Sequence, residues 1–277
     1  MLRKMPARRK QIKNYRVYFN AKERRLWELV VREGEDDMRR GEGACLVCGK
    51  PIVYYPEARK MECVFCHKTF ESHAGCEDGH YVCDECHGAK GISVIMEGCK
   101  KSESKNPIEL MQGFMEDPYV YMHGPEHHVM VGAALLTAYY NCGGYEKQGG
   151  REAYLKALDE MKARGSEYPG GSCGLWGCCG AAVSTGMFMS IITKATPLTG
   201  KSWGHSNRMT SRALEAIANL GGPRCCKRNS FTAAIEAVKY VEENFGVLME
   251  LPEEIRCEFS GENRECLKKA CPYHKNS

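Results

Sequence analysis

Cysteine is the residue type through which this sequence can do most chemistry. The chain holds 17 cysteines in 277 residues, an odd count. Many come as CxxC pairs or CC doublets, a spacing that suits metal coordination better than bridges across a fold. Cys45-x2-Cys48 and, fourteen residues on, Cys63-x2-Cys66 have the spacing of a zinc ribbon. Each CxxC makes a tight knuckle that turns two thiolates toward one tetrahedral ion, and four thiolates suit zinc or iron. Cys76, His80, Cys83 and Cys86, with His87 adjacent, form a second plausible tetrahedral set. The ligands can be used in sequence or interleaved as a cross-brace, and the spacing leaves both pairings open. The chemistry expected here is structural, because closed four-ligand sites leave no position for a substrate.

The later cysteines follow a different pattern. Cys173, Cys178 and Cys179 lie in GGSCGLWGCCGAA, and Cys225 and Cys226 in GGPRCCKRN, each at the expected start of a helix. Helix N-termini offer unpaired N–H groups and a positive dipole end, which favour thiolates and anions. Glycines in both loops let backbone come close to a ligand. If the two loops converge, three or four thiolates can hold a [4Fe–4S] cluster. Glu126 and His128, at the head of another helix, are candidate acid–base groups. Arg224 and Arg228, flanking the doublet with Lys227, are candidates for binding a carboxylate or phosphate. Ser184, Thr185, Trp203 and His205 are further pocket candidates. The tail, CEFSGENRECLKKACPYH, adds Cys257, Cys266, Cys271 and His274. These can form a site of their own or complete the helical centre, and Cys followed by Pro occurs at iron–sulfur ligands. Cys99 and Cys142 have no evident partners.

The elements that must position these groups can be read from periodicity. Residues 1–40 read as a basic arm and one helix, with Leu26, Trp27, Leu29 and Val30 on its stripe. The arm holds seven Lys or Arg and no acid in residues 1–16, and can touch nucleic acid or an acidic protein. Residues 41–100 read as a cysteine-rich zinc-binding module. IVYY is the β-like stretch there, and with no evident apolar core up to residue 90 a metal must supply the staple. SESKNP reads as a linker. Residues 105–250 read as an all-α domain with an iron–sulfur site, and 251–277 as a cysteine-rich tail. Within the helical part, Pro125 starts a helix through EHHVMVGAALLTAYYN that stops at Gly143–Gly144. CCGAAVSTGMFMSIITKA is apolar nearly all round and therefore buried. The fold class expected is mainly α: a small metal-stabilised, zinc-ribbon-like module followed by an all-α helical domain.

Composition excludes several classes. The N-terminus has no apolar h-region, so no secretory signal is expected, and the odd cysteine count argues against a disulfide scaffold. No uninterrupted apolar run reaches the length of a membrane span. A cytoplasmic protein is expected. Net charge is only +4.

As a whole the chain resembles an uncharacterised family of microbial cysteine-rich proteins. The shared features are the CxxC module ending in GHYVCDECH, the GPEHHVMVGAALL helix, GGSCGLWGCCGAA, GGPRCCKR and the CPYH tail. The helical part is also similar to the α domain of iron–sulfur L-serine dehydratases and to cysteine desulfidases. GCCGAAVSTGMFMS and GGPRCCKRNSFTAAIEA stand where those proteins carry a cysteine-bearing Gly/Ala-rich helix start and a GxxxxPCxxRNAxxAxxA loop. That second resemblance covers about 80 residues. It implies a [4Fe–4S] cluster with three protein thiolates: Cys178 or Cys179, Cys225 or Cys226, and Cys173. The fourth iron would be open to a substrate hydroxyl or thiol. The doubled cysteines, the extra zinc-type module and the missing dehydratase partner domain depart from the pattern.

The function expected from these readings is a metalloprotein with structural zinc and a [4Fe–4S]-dependent lyase or sulfur-handling activity on a small anion. The alternatives are a non-enzymatic zinc module that binds RNA or a protein, and an electron-transfer iron–sulfur protein.

Overall fold

The computed structural model describes Cys45, residues 47–144 and residues 149–275. The basic arm and helix expected over residues 1–40 lie outside the described residues.

The first described element is a hairpin of β1 (Ile52–Glu62) and β2 (Thr69–Cys76), paired antiparallel from Ile52↔Cys76 to Glu62↔Thr69. The expected IVYY strand opens β1. The ladder is irregular between Tyr54 and Arg59, and the chain after β1 pairs back onto the segment after β2 through a Cys63↔Tyr81 bridge.

Among the described residues eight α-helices follow: α1 (Asp84–Lys101), α2 (Pro107–Glu116), α3 (Glu126–Tyr139), α4 (Gly150–Glu167), α5 (Ser172–Leu175), α6 (Gly180–Ile192), α7 (Lys201–Leu220) and α8 (Cys226–Phe245). The mainly α class expected from the sequence is the one observed. α3 is the central element. Every residue from Glu126 to Tyr139 is buried, as an all-round apolar helix must be. Helices α1, α2, α4, α6 and α8 pack against it, and α7 covers α6 and α8.

Close approach is built in at α3. A Cβ on Gly132 would lie 2.2 Å from the Met161 sulfur on α4 and 3.0 Å from Ser184 Oγ on α6. Ser184 uses that space. Its hydroxyl donates to the His128 carbonyl at 2.6 Å and accepts from the Gly132 N–H at 2.8 Å, bolting α6 to α3. The expected linker SESKNP ends in a helix start, where Asn106 Oδ1 accepts from the N–H groups of Ile108 and Glu109 and Pro107 occupies the first helical position. The helix expected to stop at Gly143–Gly144 leaves α-geometry sooner: Tyr140–Gly144 is a π-turn with Gly143 at φ 88°.

One element departs from the sequence reading. Residues 84–101 form a long helix that buries Ile95, Met96 and Cys99 in the main core. Its glycines hid the pattern, yet two of them make the packing possible. A Cβ on Gly91 would meet the Tyr119 carbonyl oxygen at 2.4 Å, and one on Gly98 would meet the Phe114 ring at 2.4 Å. Cys99 is wholly enclosed, its thiol pushed up to about 12 by burial, and acts as a small core hydrophobe. Among the described residues no helix is long and apolar enough to cross a membrane.

Candidate metal centres and an adjoining pocket

The N-terminal ligands settle into two sets, each with its atoms within 4.8 Å of one another. Cys45, Cys48, Cys76 and His80 form one, and Cys63, Cys66, Cys83 and Cys86 the other. The pairing is interleaved: first and third pairs together, second and fourth together. Recurring turns build these corners. The Cys45 N–H donates to the Lys50 carbonyl and the Gly49 N–H back to Cys45; Cys63 does the same with Lys68 and His67. The turns need positive φ, at 75° for Gly49 and 56° for His67.

The spacing within each set suits one ion. A tetrahedral centre with metal–sulfur bonds of about 2.3 Å sets its thiolates about 3.8 Å apart. The Cys48–Cys76 and Cys66–Cys83 sulfurs lie 3.4 and 3.7 Å apart, and His80 Nδ1 lies 3.9 Å from the Cys45 sulfur. Backbone N–H groups of Val47, Asp78 and Cys83 point at the sulfurs of Cys45, Cys76 and Cys63, each at 3.4 Å. Such donors favour the thiolate. Burial pushes the Cys63 thiol up, but N–H donors of Cys83, Cys66 and Phe65 outweigh it and bring it to about 7. These sets can hold a metal ion, and the residues that fill them are the eight that the spacing singles out.

The helical cysteines are arranged differently. Cys173, Cys179 and Cys226, from two separate stretches, line one cavity of about 420 Å³. Its wall includes His87 from α1, the turn His123–Pro125, the first turn of α3, the glycine-rich segment Pro169–Gly171, Arg224 and Asn229. Asn229 Nδ2 donates to the Cys179 sulfur at 3.4 Å. The Cys226 thiol is pushed up to about 12 by burial, opposed by the N–H of Gly124. Cys178 lies beside Tyr168, whose hydroxyl donates to the Cys178 carbonyl at 2.9 Å. Among the described residues, the groups of three or more ligand atoms within 4.8 Å of one another are the two of the N-terminal module. The three pocket sulfurs are therefore not all within 4.8 Å of one another.

The head of α3 supplies the pocket's nitrogen chemistry. His128 Nδ1 sits 3.1 Å from the Tyr168 carbonyl. A carbonyl can only accept, so Nδ1 carries the proton and the lone pair falls on Nε2. Burial holds the His128 pKa below the ordinary range, opposed by that hydrogen bond. The ring fits because residue 180 is glycine: a Cβ there would lie 2.1 Å from His128 Cδ2. His127, adjacent, also lines the cavity. Its Nδ1 faces the Gly124 carbonyl at 3.2 Å, and its Nε2 is buried without a hydrogen-bond partner. Its role in the wall was not legible in the sequence, since adjacent histidines on a helix splay and nothing in HGPEHH says which one faces a cavity. Glu126 lies behind them. Its Oε1 accepts from the Tyr121 N–H at 3.1 Å and approaches His127 Nδ1 at 3.4 Å, while Oε2 is buried and unpartnered. Burial pushes the Glu126 carboxyl up, but His127 outweighs it and holds it low.

The basic residues around the doublet separate. Arg224 lines the pocket. Arg228 turns away, donating to the carbonyls of Gly221 and Pro223 at 2.8 Å each. Lys227 is buried and donates to the carbonyls of Met115 and Val120. Ser184 and Thr185 are core residues bonded to backbone carbonyls. His205 Nδ1 meets the Tyr240 hydroxyl at 2.7 Å, and Trp203 is half exposed; neither lines the pocket. The doublet itself divides, because Cys225 lines a different cavity with Cys257, Cys266, Cys271 and His274.

A family model described as a family of unknown function (DUF5714) matches residues 95–274. No curated protein and no solved structure matches the chain.

Proposed function

The chain belongs to that family of unknown function, and we propose that it is a metalloprotein with structural zinc in its N-terminal module and an iron–sulfur centre in the pocket of the helical part. In this reading the pocket acts on a small anionic substrate. The observation that carries it is the convergence of Cys173, Cys179 and Cys226 on one cavity with His127, whose buried Nε2 has no partner. Thiolates beside a sizeable cavity and not gathered at one-ion spacing suit a polynuclear cluster, whose ligands grip different irons, better than one ion. Such a cluster, with one iron lacking a protein thiolate, supplies a Lewis acid for a substrate hydroxyl or thiol. This agrees with the resemblance to iron–sulfur L-serine dehydratases and cysteine desulfidases.

The chain's own groups then take simple roles. Arg224 holds the anion from the wall. Glycines 170 and 171 let substrate approach the backbone closely. His128 Nε2, neutral and held in place through Nδ1, accepts a proton at the pocket face. Glu126 anchors the turn at Tyr121 and orients His127. Cys178, next in sequence to the lining residue Cys179, is the spare thiol of that doublet and the candidate for sulfur handling. Cys and His ligands at one-ion spacing favour zinc in the module.

Anaerobic purification of the full chain, with iron, sulfide and zinc analysis and a visible spectrum, tests this reading. The expected protein is brown and retains two zinc ions by the two four-ligand sets. Cys173→Ser combined with Cys226→Ser should remove about four irons and leave zinc untouched. Mild oxidation of the unsubstituted protein should convert the pocket cluster to a three-iron form with its own paramagnetic signal. A pocket variant that keeps all its iron would refute the assignment. A cluster that resists oxidation would favour the electron-transfer alternative.

A further inference from the structure

We infer that the C-terminal tail forms a second iron–sulfur site, on Cys225, Cys257, Cys266 and Cys271, separate from the pocket and fully ligated by protein thiolates. All four cysteines line one small cavity, with His274 at its edge. The proposal rests on these four residues and stands whether or not the pocket holds a cluster.

The doublet supplies the first ligand. Cys225 is the N-cap of α8 and Cys226 its first residue. One side chain enters the tail cavity and the other the pocket. The tail folds back to supply the rest. The Cys257 N–H donates to the Tyr273 carbonyl at 2.7 Å, and Cys257 bridges His274, so the two ends of the tail meet. A 3-10 turn, Lys268–Ala270, spaces Cys266 from Cys271. Tyr273 clamps the assembly on α8, its hydroxyl 2.9 Å from Thr232 Oγ1 and its ring edge-on to Phe231.

Two observations point to a metal rather than to a chance gathering of thiols. The first is the backbone. The Arg228 N–H points at the Cys225 sulfur at 3.4 Å and the Lys268 N–H at the Cys266 sulfur at 3.3 Å. The metal-binding corners of the N-terminal module have the same kind of N–H···S contact at Cys45 and Cys76. The second is the poverty of the tail's own structure. From Gly246 to Lys275 its only helical element is that three-residue turn, yet Phe259, Asn263 and Cys271 are buried. A segment with so little regular structure and apolar content needs a staple to hold one conformation.

The spacing of the sulfurs selects the kind of metal centre. A single ion with metal–sulfur bonds of about 2.3 Å draws its thiolates to about 3.8 Å of one another. Among the described residues these four sulfurs are absent from the sets gathered within 4.8 Å. A cluster that separates its thiolates onto different irons fits that spacing, and Pro272 directly after Cys271 agrees with it.

The test is the iron content and reduced-state paramagnetic spectrum of the full chain reconstituted anaerobically with iron and sulfide. Cys257→Ser combined with Cys271→Ser should lose about four irons, keep its zinc, and keep any signal that Cys173→Ser with Cys226→Ser removes. Unchanged iron in the tail variant, or loss of a zinc ion in place of iron, would overturn the proposal. Alkylation of the unsubstituted holo-protein covers the case in which the variant does not fold. Cys257 and Cys266, both half-buried, should resist iodoacetamide until iron is stripped by oxidation and chelation, then label fully. Full labelling of both before stripping would equally overturn it.

Discussion

The N-terminal module and the helical part spend cysteine in opposite ways. In the module, eight ligands close into two sets around points large enough for one ion each, and little else holds the hairpin. In the helical part a large apolar core is built on α3, and Cys173, Cys179, Cys225 and Cys226 line cavities beside it. In the module the candidate ligands are tightly spaced and their sequence pattern is local. In the helical part the cysteines that line each cavity come from distant stretches, and their spacing follows the cavity.

The largest expected effect tests whether the module depends on its ions. Cys63 is fully buried and is a member of the second set. Cys63→Ser should abolish ordered folding of the hairpin, because a structural zinc site contributes on the order of 10 kcal/mol. Both ions should be lost, since the interleaved sets share the same loops, while helical circular dichroism stays near its original value. Loss of one zinc with the other retained at full affinity would show that the two sets are independent. Collapse of the helical signal would show that the two regions are not separable in energy.

A mid-sized effect probes the pre-shaped cavity. Gly180→Ala places a methyl group against the His128 ring. Overpacking of this kind costs about 1–3 kcal/mol, so the urea midpoint of the helical part should fall with zinc content unchanged. An unchanged midpoint would mean that the wall yields and that the cavity is less rigid than the comparison requires.

The smallest effect concerns ordinary surface electrostatics on the helical part. Burial pushes the Glu236 carboxyl up, but Arg212 at 2.7 Å and Lys239 at 3.0 Å outweigh it and hold it below its usual range. A depressed folded-state pKa adds stability above the unfolded value, and that stability is lost as pH falls through the folded one. Glu236→Gln should therefore lower the melting temperature slightly at neutral pH, by the equivalent of less than about 1 kcal/mol, and not in strong acid. An equal drop at both pH values would assign the effect to packing.

What the sequence disclosed follows the same division. The module's ligands were legible because CxxC spacing is a local rule, but their pairing was not, because both pairings satisfy the same local geometry. The buried character of α6 was legible from its nearly all-round apolar pattern. α1 was missed because Gly91 and Gly98 looked like loop residues, although they are where Tyr119 and Phe114 press against the helix. In the pocket, the residue types were legible and their directions were not. Nothing in PRCCKRN states that Cys225 and Cys226 face two cavities, or that Arg228 turns to its own loop while Arg224 lines the wall. Those directions depend on the start of α8 and on where the tail folds back, and both are products of long-range packing.

The interleaved pairing of the module also fixes a timetable. A chain that used its ligands in sequence could close its first centre once Cys66 had left the ribosome. Here one set waits for His80 and the other for Cys86. Both are completed within a span of a few residues, late in the synthesis of the module. Until then Cys45, Cys48, Cys63 and Cys66 emerge as four unsatisfied thiols, and the module closes as a latch does, in one movement, when α1 begins to appear.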